Sequence, residues 1–514
     1  MNGYLIALIV ILAYIAILLL LWRSGFARRH NISFMGPLLM LRTEKGIGLL
    51  KRMSRRRGFW KGYALLSWAL FIGGMISMVL LLLWEAVLVL SVPKTAAPSL
   101  QSYLLIPGIN PFVPLGYGLI GLIVAVVLHE LAHGVLSESQ DIDVRSMGVL
   151  MFVVPVGAFV EPDQQMLENT EVHKRIKIFG VGPGTNIVLA IIFLMLFIFP
   201  FMGGVAPIHN GLAVISLTAG SSASHAGIAQ WNEVVAINGT PTTTLSDFYG
   251  IQNLLPGHSY SVELYASGRQ VERSVIAGIQ IVGTVPDSPA AAAGIKPDWI
   301  LVKMNNTTVM NEVQLFSLFN NTRPGEVVPF VFELPNRSMV NMDIRLSSEM
   351  AVEHTGSSST GFLGIYFTYM GMEVLPMSDV ISLIRNPFYG ADSTSFITSV
   401  LGFLVQPFEG LSPIPAGLAA NLHAYGMQPG ELFWIGANGM YWLFWLNLWV
   451  GLFNMLPAIP LDGGYLFRDN LRLLLEKFSR RDSQEKERIA RSVTTAFSYL
   501  IFFLILWQLI AIRI

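Results

Sequence analysis

The sequence predicts a polytopic α-helical membrane protein of about six transmembrane helices, with two small α+β domains inserted. Three observations carry this reading. First, 53% of the 514 residues are hydrophobic and only 13% are Asp, Glu, Lys or Arg, about half the charged fraction of an average soluble domain. The mean hydropathy is +0.57. Second, six apolar runs approach the roughly 20 residues that cross a bilayer as a helix. Third, a polar stretch in the middle of the chain repeats itself. The 33 basic and 33 acidic residues cancel, which removes the case for a nucleic-acid binder with a broad positive face. With no cysteine, disulfides, thiolate metal sites and a cysteine nucleophile are excluded. A metal ion would have to be held by His, Asp, Glu or Asn.

The first run, Asn2 to Trp22, has no charge and ends at Arg23. With no basic start and no small-residue cleavage site, it reads as an uncleaved anchor. The second is Gly62 to Trp84. The third, Leu115 to Leu136, carries His129, Glu130 and His133. Ile187 to Phe201 forms most of the fourth, Leu432 to Leu461 the fifth and Ser492 to Ile512 the sixth. Basic residues between spans set the orientation. Residues 23–62 hold 11 Lys/Arg, among them Arg28, Arg29, Arg55, Arg56 and Arg57, against the single acid Glu44. That loop is expected in the cytoplasm. Only Lys94 separates the second span from the third, so that loop is expected outside. Arg145, Lys174, Arg175 and Lys177 place the next one inside, and Arg468 to Arg491 add eight more basic residues to the last inner loop. Both termini and the insert 203–350 then fall outside. The run at 375–410, broken by Arg385 and Asp392, reads as an interfacial or re-entrant segment that does not cross.

Within the insert, VISLTAGSSASHAGIAQWNEVVAINGT from Val214 and IVGTVPDSPAAAAGIKPDWILVKMNNT from Ile281 match at an offset of 67 residues. Gly227 pairs with Gly294, Ile228 with Ile295 and Asn238 with Asn305. Each copy reads as a strand, a small-residue turn with a short helix, a strand ending in an Asn turn, then a helix and further strands. The pair resembles tandem PDZ domains of the protease-associated type, over residues 204–277 and 278–350. That resemblance implies peptide binding by strand addition; two domains that merely pack or block access are the alternative.

His129-Glu130-Leu131-Ala132-His133 is an HExxH pattern inside a hydrophobic span. On a helix, positions i and i+4 share a face, so both imidazoles can reach one metal ion. Glu130 projects nearby and can accept a proton. Ionisable groups at that depth are costly and call for a function. A catalytic zinc site usually has a third protein ligand. Asp462, in Asn454-Met-Leu-Pro-Ala-Ile-Pro-Leu-Asp-Gly-Gly464, is the candidate, because proline and glycines there interrupt the fifth span and can turn a carboxylate inward. The loop charges put both motifs near the cytoplasmic end of their spans.

HELAH in a span, a second span ending NMLPAIPLDGG and the insert between them resemble the site-2 protease family of intramembrane zinc metalloproteases (peptidase M50-like). The likeness covers about 113–470, and the two extra amino-terminal spans and GAFVEPD are closer to the archaeal and eukaryotic branch. It implies one Zn2+ held by His129, His133 and Asp462, Glu130 as general base, and Asn454 as a catalytic contact to substrate or transition state. Gly148 to Asp163 resembles the family's membrane-associated hairpin, which makes Gly148, Pro155, Gly157 and Phe159 candidate substrate-binding residues. Gly182-Pro-Gly-Thr-Asn186 resembles the turn that opens the following span. Ala458 before Ile459 departs from the tighter spacing of many relatives and removes no ligand.

The expected organisation is therefore amino-terminal spans with a basic loop (1–112), a first core half (113–203), the two repeats, a connector (351–431) and a second core half (432–514). The expected function is hydrolysis of peptide bonds within or beside transmembrane helices of membrane-anchored proteins in the cell membrane, the active site near the cytoplasmic leaflet and the insert filtering substrates outside. The partners are a membrane-anchored protein and the lipid bilayer, with no nucleic acid. A metal-ion transporter and an inactive scaffold are the competing readings; the Glu between the two His argues against the first, and the complete motif set against the second.

Overall fold

A computed structural model describes residues 3–24, 32–91, 100–103, 106–152, 155–353, 359–389, 396–511 and 513. Arg28, Arg29, Lys94 and Asp392, used above in reading the topology, lie outside them. The chain divides into two compact units, one of residues 1–197 with 437–514, the other of residues 198–436.

In the first unit the apolar runs form the helices Gly3–Arg23, Arg57–Leu88, Leu115–Ser139, Val172–Leu196 and Ser483–Ala511. Among the described residues, four helices (Arg57–Leu88, Leu115–Ser139, Val172–Gly204 and Ser483–Ala511) are long and apolar enough to cross a membrane. Glu431–Asn454 is also a 24-residue helix, but its four tryptophans and three asparagines lower its hydropathy. Small residues let helices approach. A Cβ on Gly121 would stand 2.6 Å from Leu446, and one on Gly184 would stand 2.4 Å from Ser67, the close-packed contact by which helices associate without a hydrophobic driving force.

One expectation changes here. Gly182 to Asn186 is not a turn; it lies inside the Val172–Leu196 helix, with Pro183 in the helix interior. Packing among buried helices overrides the break that Gly-Pro-Gly normally causes: Gly184 packs on Ser67, and Thr185 bonds back to the Val181 carbonyl and receives the Tyr63 hydroxyl. The hairpin read from Gly148 to Asp163 consists of strands Val144–Met151 and Pro155–Pro162. It belongs to a four-stranded antiparallel sheet completed by Ile32–Met35 and Leu38–Thr43 from the basic loop. Pro155–Pro162 is an edge strand, as is Ile32–Met35 at the other end.

In the second unit the repeat is structural as well as sequential. Leu212–Leu217 and Ile279–Thr284, Ser222–His225 and Pro289–Ala292, and Glu233–Ile237 and Ile300–Met304 stand at the same 67-residue offset. Ser221 and Ser288 cap the equivalent short helices through their side chains. The two copies are not separate, however. They share one 12-stranded sheet and one hydrophobic core, from Leu212 through Ile281 to Val374. The joint comes from inside the segment read as connector. Strand Ile365–Tyr369 pairs with Ile279–Thr284, strand Met372–Pro376 pairs with Leu212–Leu217, and the two meet each other only at Tyr369 and Met372. Gly364 and Gly371 dock on the capping serines Ser288 and Ser221, whose hydroxyls bond their carbonyls; a Cβ on either glycine would lie 2.3–2.4 Å from its serine. A copy of about 70 residues buries too little surface to be comfortably stable alone, and the hairpin completes both. The remainder, 377–410, holds helices Met377–Arg385 and Phe396–Val405, too short to cross a bilayer.

Glu233 is fully buried at the start of its strand. One carboxylate oxygen accepts the Gly211 N–H at 2.8 Å and the other has no partner among the described residues. Burial pushes its pKa up to about 7 from 4.5, the Gly211 bond opposing. Between those values the folded state holds a proton that the unfolded state has lost, so stability is full below about pH 4.5 and falls as pH rises to about 7. The loss is on the order of 3 kcal/mol. Glu233→Gln should abolish this slope and protect the sheet at pH 8. Amide exchange in strand Leu212–Leu217 of the full-length protein, compared at pH 5 and pH 8, measures it.

Candidate active site

His129 and His133 lie one turn apart on the Leu115–Ser139 helix, both buried. Asp462 is the first residue of helix Asp462–Phe478. The loop before it folds tightly under the helix start: a Cβ on Gly463 would stand 2.1 Å from the Leu456 carbonyl oxygen, and one on Gly464 would stand 2.6 Å from the Ala458 carbonyl carbon. Only glycines permit that return, and it turns the Asp462 carboxylate to the histidines. Asp462 Oδ2 is 3.1 Å from His129 Nε2 and 3.2 Å from His133 Nε2, and the two nitrogens are 3.1 Å apart.

These atoms form the one group of three or more His, Asp or Glu side chains able to hold a metal ion among the described residues. The donor chemistry fits a divalent cation. His133 Nδ1 faces the Ile178 carbonyl at 2.7 Å; a carbonyl only accepts, so the neutral ring keeps its proton there and offers a lone pair at Nε2. A carboxylate oxygen also offers only lone pairs. Such a set repels itself unless a proton or cation lies among its members. Ligands about 2.0–2.1 Å from a tetrahedral zinc stand about 3.3 Å from one another, close to the separations here.

Glu130 lies between the two histidines in sequence and has a backbone partner of its own. Its Oε2 accepts the backbone N–H of Val160 at 3.1 Å, on the outer edge of strand Pro155–Pro162. Gly157 and Ala158 of that strand, with Leu122 and Val126 of the HExxH helix, line an apolar cleft of about 230 Å³. Of the candidate substrate-binding residues, Pro155, Gly157 and Phe159 are on this edge strand, whereas Gly148 is on the interior strand, paired to Arg42 on one side and Phe159 on the other. Asn454 ends the helix Glu431–Asn454, and its amide donates to the Val450 carbonyl of its own helix at 3.0 Å.

Several participants left no clear signal in the sequence. The Ile178 carbonyl is backbone and has none. Asn186 sits 3.2 Å from His129 Nδ1; its motif was visible but read as a turn. Arg175 makes a two-pronged ion pair with Asp469, both buried, and also donates to the Glu168 carbonyl. In the sequence Arg175 is legible only as a topology charge. The pair ties helix Val172–Leu196 to helix Asp462–Phe478, and with it the carboxylate of Asp462.

Long apolar helices around a buried His–His–Asp cluster describe a membrane protein with a metal-type centre, the class in which membrane metalloproteases fall. The model of peptidase family M50 matches residues 117–501, three quarters of the chain, and the protein belongs to that family, the site-2 protease family of metalloproteases. The uncharacterized protein MJ0971 of Methanocaldococcus jannaschii is 23% identical over 265 residues, which cover 50% of this chain and 68% of that one.

Asp469 has a second cation, Arg468 Nε at 3.3 Å, so the two halves of the Arg175–Asp469 pair are unequal. Asp469→Asn leaves the buried Arg175 guanidinium uncompensated and should cost about 3–5 kcal/mol, Arg175→Met should cost less, and both should lower metal affinity through Asp462. The double change Arg175→Met with Asp469→Leu should recover most of the stability. Unfolding midpoints in detergent for the three variants measure the effect.

Proposed function

We propose that this protein is an intramembrane zinc endopeptidase that cleaves membrane-anchored proteins within or next to a transmembrane helix, in regulated intramembrane proteolysis. The observation that carries this reading is the meeting of His129, His133 and Asp462 at 3.1–3.2 Å, with Glu130 of the same helix bonded to the Val160 N–H of an edge strand. His129, His133 and Asp462 would hold a divalent ion, which would supply a Lewis acid for the scissile carbonyl. Glu130 takes the proton of the attacking water and returns it to the leaving amide nitrogen, so that the C–N bond breaks with one water consumed. Strand Pro155–Pro162 accepts the substrate in extended form through Pro155, Gly157 and Phe159, because a helical substrate hides its carbonyls in its own hydrogen bonds. Gly148 supports that strand from the interior, and Asn454 contacts the substrate or transition state.

The same proposal has six spans, the four above with Gly3–Arg23 and Glu431–Asn454. The PDZ-like repeats stand outside the cytoplasm as a substrate filter, and the catalytic centre lies near the cytoplasmic leaflet. The support is the Lys/Arg asymmetry of the loops. Because the chain has no native thiol, cysteines at Ser267 and Ser479 test it: an impermeant reagent on intact cells should label Ser267→Cys and spare Ser479→Cys. The reverse pattern inverts the topology.

Separating metal binding from proton transfer tests the chemistry. In Glu130→Gln the amide oxygen can still accept the Val160 N–H, so the variant should fold and keep zinc. It should lose about 10²–10⁴-fold in peptide hydrolysis. His129→Ala, His133→Ala and Asp462→Ala should lose zinc and hydrolysis together. A metal transporter would respond the other way, with flux following the three ligands and insensitive to Glu130. Near-normal cleavage by folded Glu130→Gln overturns the mechanism.

A further inference from the structure

Helix Val172–Leu196 crosses the two imidazoles with Ile178, Gly182 and Asn186, three residues spaced four apart on one face. At His133 the partner is the Ile178 carbonyl, which can only accept, so Nδ1 carries the proton. At His129 the partner is an amide side chain, which can donate or accept, so the tautomer is decided one bond further out. Asn186 is fully buried. Its other end lies 3.3 Å from the Ala125 carbonyl, again a pure acceptor, and therefore faces it with the NH2. That turns Oδ1 to His129 Nδ1 at 3.2 Å and places the His129 proton there as well. Gly182 keeps the remaining space open: a Cβ would stand 2.2 Å from His133 Nε2 and 2.8 Å from His129 Nε2.

We propose that Asn186 is a positioning residue that locks His129 in the Nδ1–H tautomer, and that the relay Ala125–Asn186–His129, with the bare face of Gly182, prepares both Nε2 lone pairs before any ion arrives. The inference rests on the metal-site reading given above. Nothing in it requires the ion for the relay to form, because each bond ends on a backbone carbonyl. Outer partners of this kind orient a ligand and raise its basicity, and losing one typically weakens metal binding about 10–100-fold.

The test uses full-length protein in detergent. Zinc affinity is read by competition with a chromophoric chelator, and site geometry by the visible absorption of the Co2+-loaded protein. Asn186→Leu, of similar volume but with no acceptor, should bind zinc about 10–100-fold more weakly and shift the cobalt bands. Asn186→Asp keeps an acceptor toward Nδ1 and, in its protonated form, which still donates to the Ala125 carbonyl, should restore both. Gly182→Ala should lose zinc by occupying the ligand space. A folded Asn186→Leu with wild-type zinc affinity and cobalt spectrum overturns the inference and leaves the metal site standing. Wild-type protein that binds zinc no better than His129→Ala overturns the metal reading and the inference with it. Nitrogen-15 spectra of metal-free wild type at pH 8 decide the matter without a variant: His129 should be protonated at Nδ1, and protonation at Nε2 overturns the proposal.

Discussion

A polar atom surrounded by apolar helices has no water to fall back on, so it must be given a fixed partner or be left at a cost of a few kcal/mol. That constraint organises the first unit. Helix Val172–Leu196 supplies most of the partners. It gives a carbonyl to His133, an amide to His129 and a guanidinium to Asp469. Its neighbours reach it through small residues: a Cβ on Gly451 would lie 3.1 Å from Asn186, and Gly184 lies on Ser67. The helix thus fixes the HExxH helix by hydrogen bonds and the Asp462 helix by an ion pair, and the three ligand atoms meet because both attachments run through one rigid element.

The same economy couples the candidate base to the sheet. Glu130 shares its helix with the histidines, yet its carboxylate bonds to the backbone of Val160. The edge strand Pro155–Pro162 is thereby tied to Glu130, and a change in one is felt by the other. The two amino-terminal strands Ile32–Met35 and Leu38–Thr43 back this sheet from its far side, and the Tyr14 hydroxyl of the first helix bonds the Pro37 carbonyl. The extra amino-terminal segment is therefore part of the scaffold of the edge strand.

What the sequence revealed was what periodicity and local chemistry can carry. An i, i+4 His pair puts two rings on one face whatever the tertiary fold, and a 67-residue repeat survives as identical elements with equivalent serine caps. Long-range pairings were harder. Strands Ile32–Met35 and Leu38–Thr43 sit in a loop whose 11 basic residues dominate its composition, so the loop read as cytoplasmic charge only. The hairpin Ile365–Pro376 is short, and its two strands serve different repeats, a relation that no local window contains. Gly182 to Asn186 misled for a physical reason: Gly-Pro-Gly breaks an exposed helix, and packing among buried helices overrides that propensity. Arg175 and Asp469, 294 residues apart, look like ordinary loop and helix charges until they are seen buried against each other.

The chain leaves the first unit after Phe197 and returns to it at Ala437. Every group that touches the His–His–Asp cluster in the contacts described, from Ile178 and Asn186 to the Gly463 turn, comes from that unit, as do Glu130 and its strand. The intervening residues carry their own sheet and core, completed by their own hairpin. A segment with a self-sufficient core and no share in the chemical groups can change stability or access without altering the ligand geometry. The protonation of Glu233 is a case in point, since its burial lies wholly within that second sheet. The His–His–Asp cluster and the repeat sheet are thus held in different hydrophobic cores of one chain.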